Sequence, residues 1–297
     1  MTMRMTRRQF VGASAGAGCA AALLAPSAHS ARAETTETDK PVLRIGLMTY
    51  RLGEDWDVDT IINNCREARW EHAELRTTHG HRVEVGLSKA QRRDVRKKFE
   101  DAGIALSLAS AFAYHWPDSE KLRENIDGTK EYTLLAHDIG ARGIRVFPNA
   151  ILADKGIPQE QTLAQIGRAV AEVAGFAADH DVEIRLANHG KGTNRIAIIR
   201  KILDYADCPH VYVNWNCDRS DVDDPGFEAN FNSVKDRIRN IHLHDLFNEA
   251  YPYRRLFALL RQSNYTGYCD AEVGPSCEPI TFMKYYRALF LALQDVL

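Results

Sequence analysis

The chain has six cysteines and no CxxC spacing. That pattern offers neither a zinc knuckle nor a disulfide framework. It has no run of lysine or arginine, and its formal charge is −2. A surface of that kind does not attract nucleic acid. The one apolar run, near the N-terminus, is rich in Gly and Ala and too short to span a bilayer. No glycine-rich turn follows the first strand-like segment, which argues against a dinucleotide-binding doubly wound sheet. What is present in normal amount is hydrophobic residues, at 45%, enough for a full globular core.

The first 33 residues read as a separate unit. Arg7 and Arg8 precede Phe10, a mild apolar run follows, and Ala31-Arg32-Ala33 closes it as a small-x-small cleavage site. This resembles a twin-arginine export signal, with an N-terminal membrane anchor as the alternative. The implied address is the periplasm, with no stable membrane insertion after cleavage. The segment holds four arginines and no acid, so the remainder carries −6 against −2 for the whole chain. Residues 34–41 are a polar linker. Five cysteines remain (Cys65, Cys208, Cys217, Cys269, Cys277); one bond could form in an oxidising compartment, but the sequence does not pair it.

From 42 to 297, short aliphatic runs alternate with amphipathic segments. The strand candidates are 43–48, 72–76, 104–110, 143–147, 182–187, 211–216, 238–244 and 267–272. Eight such β–α units in one chain of this length predict a single (β/α)8 TIM barrel.

Alternation then sorts the faces, because successive strand side chains point to opposite sides. Val182, Ile184 and Leu186 face the helices, which leaves Glu183, Arg185, Ala187 and His189 inward. His242 and His244 oppose Ile241 and Leu243. Tyr268, Asp270 and Glu272 share a face, as do Glu74 and Arg76, and Arg145 with Asn149 beyond it. A barrel filled only for stability would carry Val, Ile and Leu there. Arg44, Glu183 and Arg185 read as internal Arg–Glu pairs. His189, Asn216, His242, His244 and Glu272 fall at C-terminal strand ends, where barrel enzymes keep their sites.

The segments "AELRTTHGHRVE", "GIRVFPN", "RLANHG", "NWNCD", "IHLHDL" and "YTGYCDAE", in that order, resemble the xylose-isomerase-like superfamily of sugar and sugar-phosphate isomerases and epimerases. The likeness covers nearly all of the chain beyond the leader. In many such enzymes Glu, Asp, His and Glu hold a divalent cation. The resemblance puts Ala187, Asn216, His242 and Glu272 at those places. Two carboxylates are missing, so affinity for Mg²⁺ or Mn²⁺ should fall. A substitute shell of His189, His242 and Glu272, with His79 or His81, would suit Zn²⁺ or Fe²⁺ better. The alternative is that these histidines bind sugar hydroxyls. Loss of an anion near Ala187 should also leave neighbouring histidines more neutral at pH 7.

The resemblance implies a small carbohydrate ligand. Asn149, Asn188, Asn216, His79, His81, His115 and His244 are candidates for its hydroxyls. Tyr114, His115, Trp116 and Phe147 are candidates for flat contacts, while parity places Trp215 in the core. The leading expectation is an isomerase, epimerase or lyase that removes a proton next to a carbonyl. Glu272 or Glu74 would be the base, and His242, His189 and Arg145 would stabilise the oxyanion. The alternative is a non-catalytic sugar-binding or partner protein on the same barrel.

Overall fold

A computed structural model describes residues 42–296. The expected leader at 1–33 and the linker at 34–41 lie outside the described residues.

The elements run β1 (Arg44–Met48), α1 (Val58–Ala68), β2 (His72–Arg76), α2 (Lys89–Ala102), β3 (Ala105–Ala113), α3 (Ser119–Ile139), β4 (Gly143–Phe147), β5 (Asn149–Ala150) and α4 (Gln159–Ala178). There follow β6 (Glu183–Ala187), β7 (Gly190–Lys191), α5 (Ile196–Ala206), β8 (Val211–Trp215), α6 (Phe227–Val234), β9 (Ile238–Leu243), α7 (Tyr253–Gln262), β10 (Tyr268–Ala271) and α8 (Pro279–Ala292). Eight strands close a parallel barrel in the order β1-β10-β9-β8-β6-β4-β3-β2. The predicted barrel is therefore observed. The expected strands 72–76 and 143–147 match residue for residue, and β3 runs three residues further than expected.

Local signals set the boundaries. Ser88 and Gln91 form a capping box at the start of α2, and Gly103 ends that helix in the left-handed region. The helix-facing strand residues Val182, Ile184, Leu186, Val211, Val213 and Trp215 are buried in the apolar layer between sheet and helices. Trp215 donates through Nε1 to the Tyr251 hydroxyl at 2.8 Å, which satisfies its buried indole.

Inside the barrel the packing is polar. His72 Nδ1 meets Asp270 Oδ1 at 2.7 Å, and Asn240 Nδ2 donates to Asp270 Oδ2 at 2.9 Å and to Glu74 Oε1 at 3.2 Å. Ser107 adds a donor to Glu74 Oε1 at 3.1 Å. Gly46 makes room for this: a Cβ there would lie 2.0 Å from Asp270 Oδ1 and 2.8 Å from His72 Cβ. The expected Arg–Glu pairing holds for Arg185, whose Nε and Nη2 donate to Glu183 Oε2 at 2.9 and 2.7 Å. It does not hold for Arg44. That guanidinium lies over the Tyr268 ring and donates to the Tyr268 hydroxyl at 2.9 Å.

Above the barrel, β5 and β7 pair as a two-stranded parallel arm. Asn149 has φ 77° and Gly190 φ 95°. A Cβ at Gly190 would fall 1.7 Å from the Asn149 carbonyl oxygen, so only glycine allows this approach. The arm fixes the backbone one residue beyond His189.

Candidate active site

A cavity of about 200 Å³ opens at the C-terminal ends of the strands. His189, Asn216, His242, Glu272 and Arg145 line it, with Ala187 on the same wall. Parity along β4, β6, β8, β9 and β10 places these side chains inward. Tyr50, Arg76 and Phe147 complete the lining.

His242 is the hub. It is 1% exposed. Its Nε2 lies 2.5 Å from Glu74 Oε2 and its Nδ1 3.2 Å from Glu272 Oε2. Burial works against an imidazolium, but the Glu74 carboxylate and then the Glu272 carboxylate outweigh it and push the His242 pKa up to about 9. Burial works equally against the Glu272 carboxylate. There the His242 hydrogen bond and charge, and the Arg145 charge, prevail and hold it down at about 2. Glu74 is also kept below the ordinary carboxylate range: His242, Arg145 and Arg185 together overcome its burial. The site therefore contains a carboxylate–imidazolium–carboxylate chain at neutral pH. This corrects the expectation of more neutral histidines for His242. For His189 the direction holds with a different cause. Burial lowers its pKa first, and the Arg145 charge adds to it.

Arg145 is 4% exposed. Its Nη1 donates to the Ser110 carbonyl at 3.0 Å, and the Ser110 hydroxyl donates to the Arg145 carbonyl at 2.8 Å. Its guanidinium carbon sits 4.0 Å from the Phe147 ring centre, and that ring packs on His189 at 4.5 Å. Burial pulls the Arg145 pKa down to about 10 despite the Glu74 and Glu272 charges.

The other residues expected at the site lie elsewhere. Glu74 is wholly buried beneath His242 and does not line the cavity, so its expected role as base is corrected to one exerted through His242. Asn188 is buried on the helix side. It donates to Asp221 Oδ1 at 3.0 Å and accepts from the Asn216 amide at 2.7 Å. His81 accepts from the Val83 amide at 3.0 Å and meets the Arg76 carbonyl at 2.8 Å through Nε2, shaping the loop after β2. His79 stacks on Tyr50 and reaches the Tyr50 carbonyl at 3.2 Å. His115 packs against Trp116 with its Nδ1 unpartnered. Tyr114 is core, bonded to Thr129 at 2.8 Å. Asn149 belongs to the β5–β7 arm. His244 meets the Asn216 carbonyl at 2.9 Å and lines a neighbouring cavity that shares Glu272.

Arg76 and Tyr50 are cavity residues that sequence patterns alone did not assign to the site. Both were legible by parity. Arg76 follows Glu74 by two, and Tyr50 continues the inward series of Gly46 and Met48.

The donor set does not fit a divalent cation. Ala187 offers no donor, Asn216 only an amide, and both His242 nitrogens are already engaged by carboxylates. His79 and His81 are committed to backbone groups, so the imidazole-rich substitute shell does not assemble. Among the described residues no group of three or more His, Cys, Asp or Glu is arranged to hold a metal ion. Two guanidinium groups line the cavity instead.

Solved structures share this fold. An L-ribulose 3-epimerase superposes with a TM-score of 0.71 at 14% identity, covering 86% of this chain and 95% of its own. A 3-keto-D-glucoside 4-epimerase from E. coli gives 0.70 at 14%, over 84% and 99%. A D-allulose 3-epimerase from Methylomonas sp. gives 0.69 at 12%, over 86% and 99%. No curated protein matches the sequence. The family profile described as xylose isomerase-like TIM barrel matches residues 62–285, and the chain belongs to that family.

Proposed function

We propose that this protein is a sugar or keto-sugar isomerase or epimerase that removes a proton from a carbon beside a carbonyl. The observation that carries the reading is the ionised Glu272 carboxylate in the cavity wall, held 3.2 Å from a buried imidazolium. The named epimerases that share the fold support it.

Each side chain has a distinct task. Glu272 accepts the carbon-bound proton as the C–H electrons move into the carbonyl, giving an enediolate. So low a pKa makes Glu272 a weak base, so the carbon acid must be strengthened. Positive charge from His242 and Arg145 beside the developing oxyanion does this. Glu74 keeps His242 protonated and fixed. His189 approaches from β6, with β8 and β9 between it and β10. It can return a solvent-derived proton from another side, leaving Glu272 to release its own to water. Return to the same carbon gives an epimer, and return to the adjacent carbon gives an isomer.

The RRxF motif and Ala-x-Ala site at the N-terminus add the proposal that the enzyme acts in the periplasm. Periplasmic material that keeps Met1 by intact mass would overturn that part. The activity is tested by incubating the protein with ketoses in D₂O and following deuterium entry at the carbon next to the carbonyl by NMR. Exchange should occur and be lost in Glu272→Gln. Saturable sugar binding without exchange would make it a binding protein on the same barrel.

A further inference from the structure

We propose that the substrate carries a carboxylate, as a uronate-type sugar acid does, and that Arg145 and Arg76 hold it. The proposal deepens the sugar reading above and rests on it for the sugar part of the ligand.

The cavity wall carries three cationic side chains, Arg76, Arg145 and His242, and one carboxylate, Glu272; the buried Glu74 carboxylate pairs with His242 beneath it, which leaves an excess of one positive charge. A neutral sugar leaves that excess positive charge uncompensated, and a divalent cation would add to it. One carboxylate cancels it. A phosphate dianion would overshoot and crowd Glu272.

Arg145 is built to receive an anion. Its Nε is buried and has no hydrogen-bond partner. Only Nη1 is engaged, by the Ser110 carbonyl. An unmade hydrogen bond on a buried cation is costly unless a ligand completes it. The Ser110 exchange with the β4 backbone and the Phe147 ring beneath it hold the guanidinium plane fixed, which suits bidentate recognition of a planar carboxylate. Arg76 is similar. Its Nη1 donates to the Thr77 carbonyl at 2.9 Å and the Thr77 hydroxyl at 2.7 Å, and its other two guanidinium nitrogens make no hydrogen bond. Among the described residues neither arginine has a carboxylate within ion-pairing distance. Ala187, small and on the same wall, leaves the space in front of this cationic side open. The downward pull of burial on the Arg145 pKa agrees with a cation that lacks a close partner.

The test is titration calorimetry with D-glucuronate and D-galacturonate against D-glucose, D-galactose and glucose 6-phosphate. At least one uronate should bind about tenfold or more tightly than its neutral counterpart, as hydrogen bonds to a charged group require. Added NaCl should weaken only the uronate. Arg145→Met should abolish the preference. Should that variant not fold, Arg76→Gln at the half-buried mouth should reduce the same preference. Equal or tighter binding of neutral sugars, preference for the phosphate, or no uronate binding at all would overturn the proposal. Deuterium exchange on neutral ketoses without uronate preference would sink this inference and leave the enzymatic reading. Uronate preference without exchange on the uronates or the ketoses would do the reverse.

Discussion

Replacing Glu74 by glutamine tests the buried charge chain directly. The side chain is inaccessible to solvent, and its two oxygens accept from Ser107, Asn240 and His242. Glutamine keeps the volume and can still accept from Ser107 and Asn240. It presents an NH₂ to His242 Nε2, which must then give up its proton there. The imidazole becomes neutral, with its remaining hydrogen on Nδ1 toward Glu272. In the wild type the folded state raises this pKa from 6.5 to about 9, equivalent to about 3 kcal/mol. The folded protein holds the proton more tightly than the unfolded chain. That stabilisation is therefore complete below about pH 6.5 and disappears as pH rises through about 9. Glu74→Gln should cost about 2–3 kcal/mol at pH 7 in urea unfolding. The gap between the two proteins should close toward pH 10, where the wild-type imidazole is neutral as well. A gap that stays constant from pH 6 to pH 10 would refute the argument, because it would show that Glu74 does not hold a proton on His242.

Other outcomes follow from the same geometry. Ala187→Glu with Asn216→Asp should raise Mn²⁺ affinity by adding two oxygen donors beside Glu272; adding Arg145→Met should raise it further, and unchanged titration heats in both would show that these strand ends do not converge as described. His189→Ala should abolish conversion of the sugar to its epimer or isomer with the fold intact by circular dichroism, whereas His189→Gln should retain sugar binding without conversion; full activity in either would remove His189 from the mechanism. Gly190→Ala should impair turnover through displacement of His189 and cost about 1–3 kcal/mol, since its Cβ would overlap the Asn149 carbonyl; a variant of wild-type stability and activity would contradict the reading of the arm.

The sequence was most informative wherever a strand imposed a period of two. His242, Glu272, Ala187 and His189 were placed inward by that period, and they line the cavity. The same rule, carried one residue further, would have put Asn188 with Leu186 on the helix side, where it is found. Loops offer no such period. His79, His81 and His115 have the chemistry of ligands, but their nitrogens or rings turn to Tyr50, Arg76, Val83 and Trp116. The charge state of His242 was unreadable for another reason. It depends on Glu74, some 170 positions away in the chain and brought within 2.5 Å only by barrel closure.

The rim of the cavity is stiff on one side. The β5–β7 ladder joins the loops after β4 and β6, and Ile151 extends it by donating to the Lys191 carbonyl at 3.0 Å. Asn188 ties the next loop to Asp221, and Asp221 accepts from the Tyr251 hydroxyl at 2.7 Å. Half of the entrance is thus one cross-braced wall running from β4 round to β9. Traffic in and out of the cavity then depends on the opposite half, where Tyr50, Arg76 and the residues after β10 stand outside that bracing. Turnover limited by product departure would respond to changes there, and hardly at all to changes that loosen the braced wall.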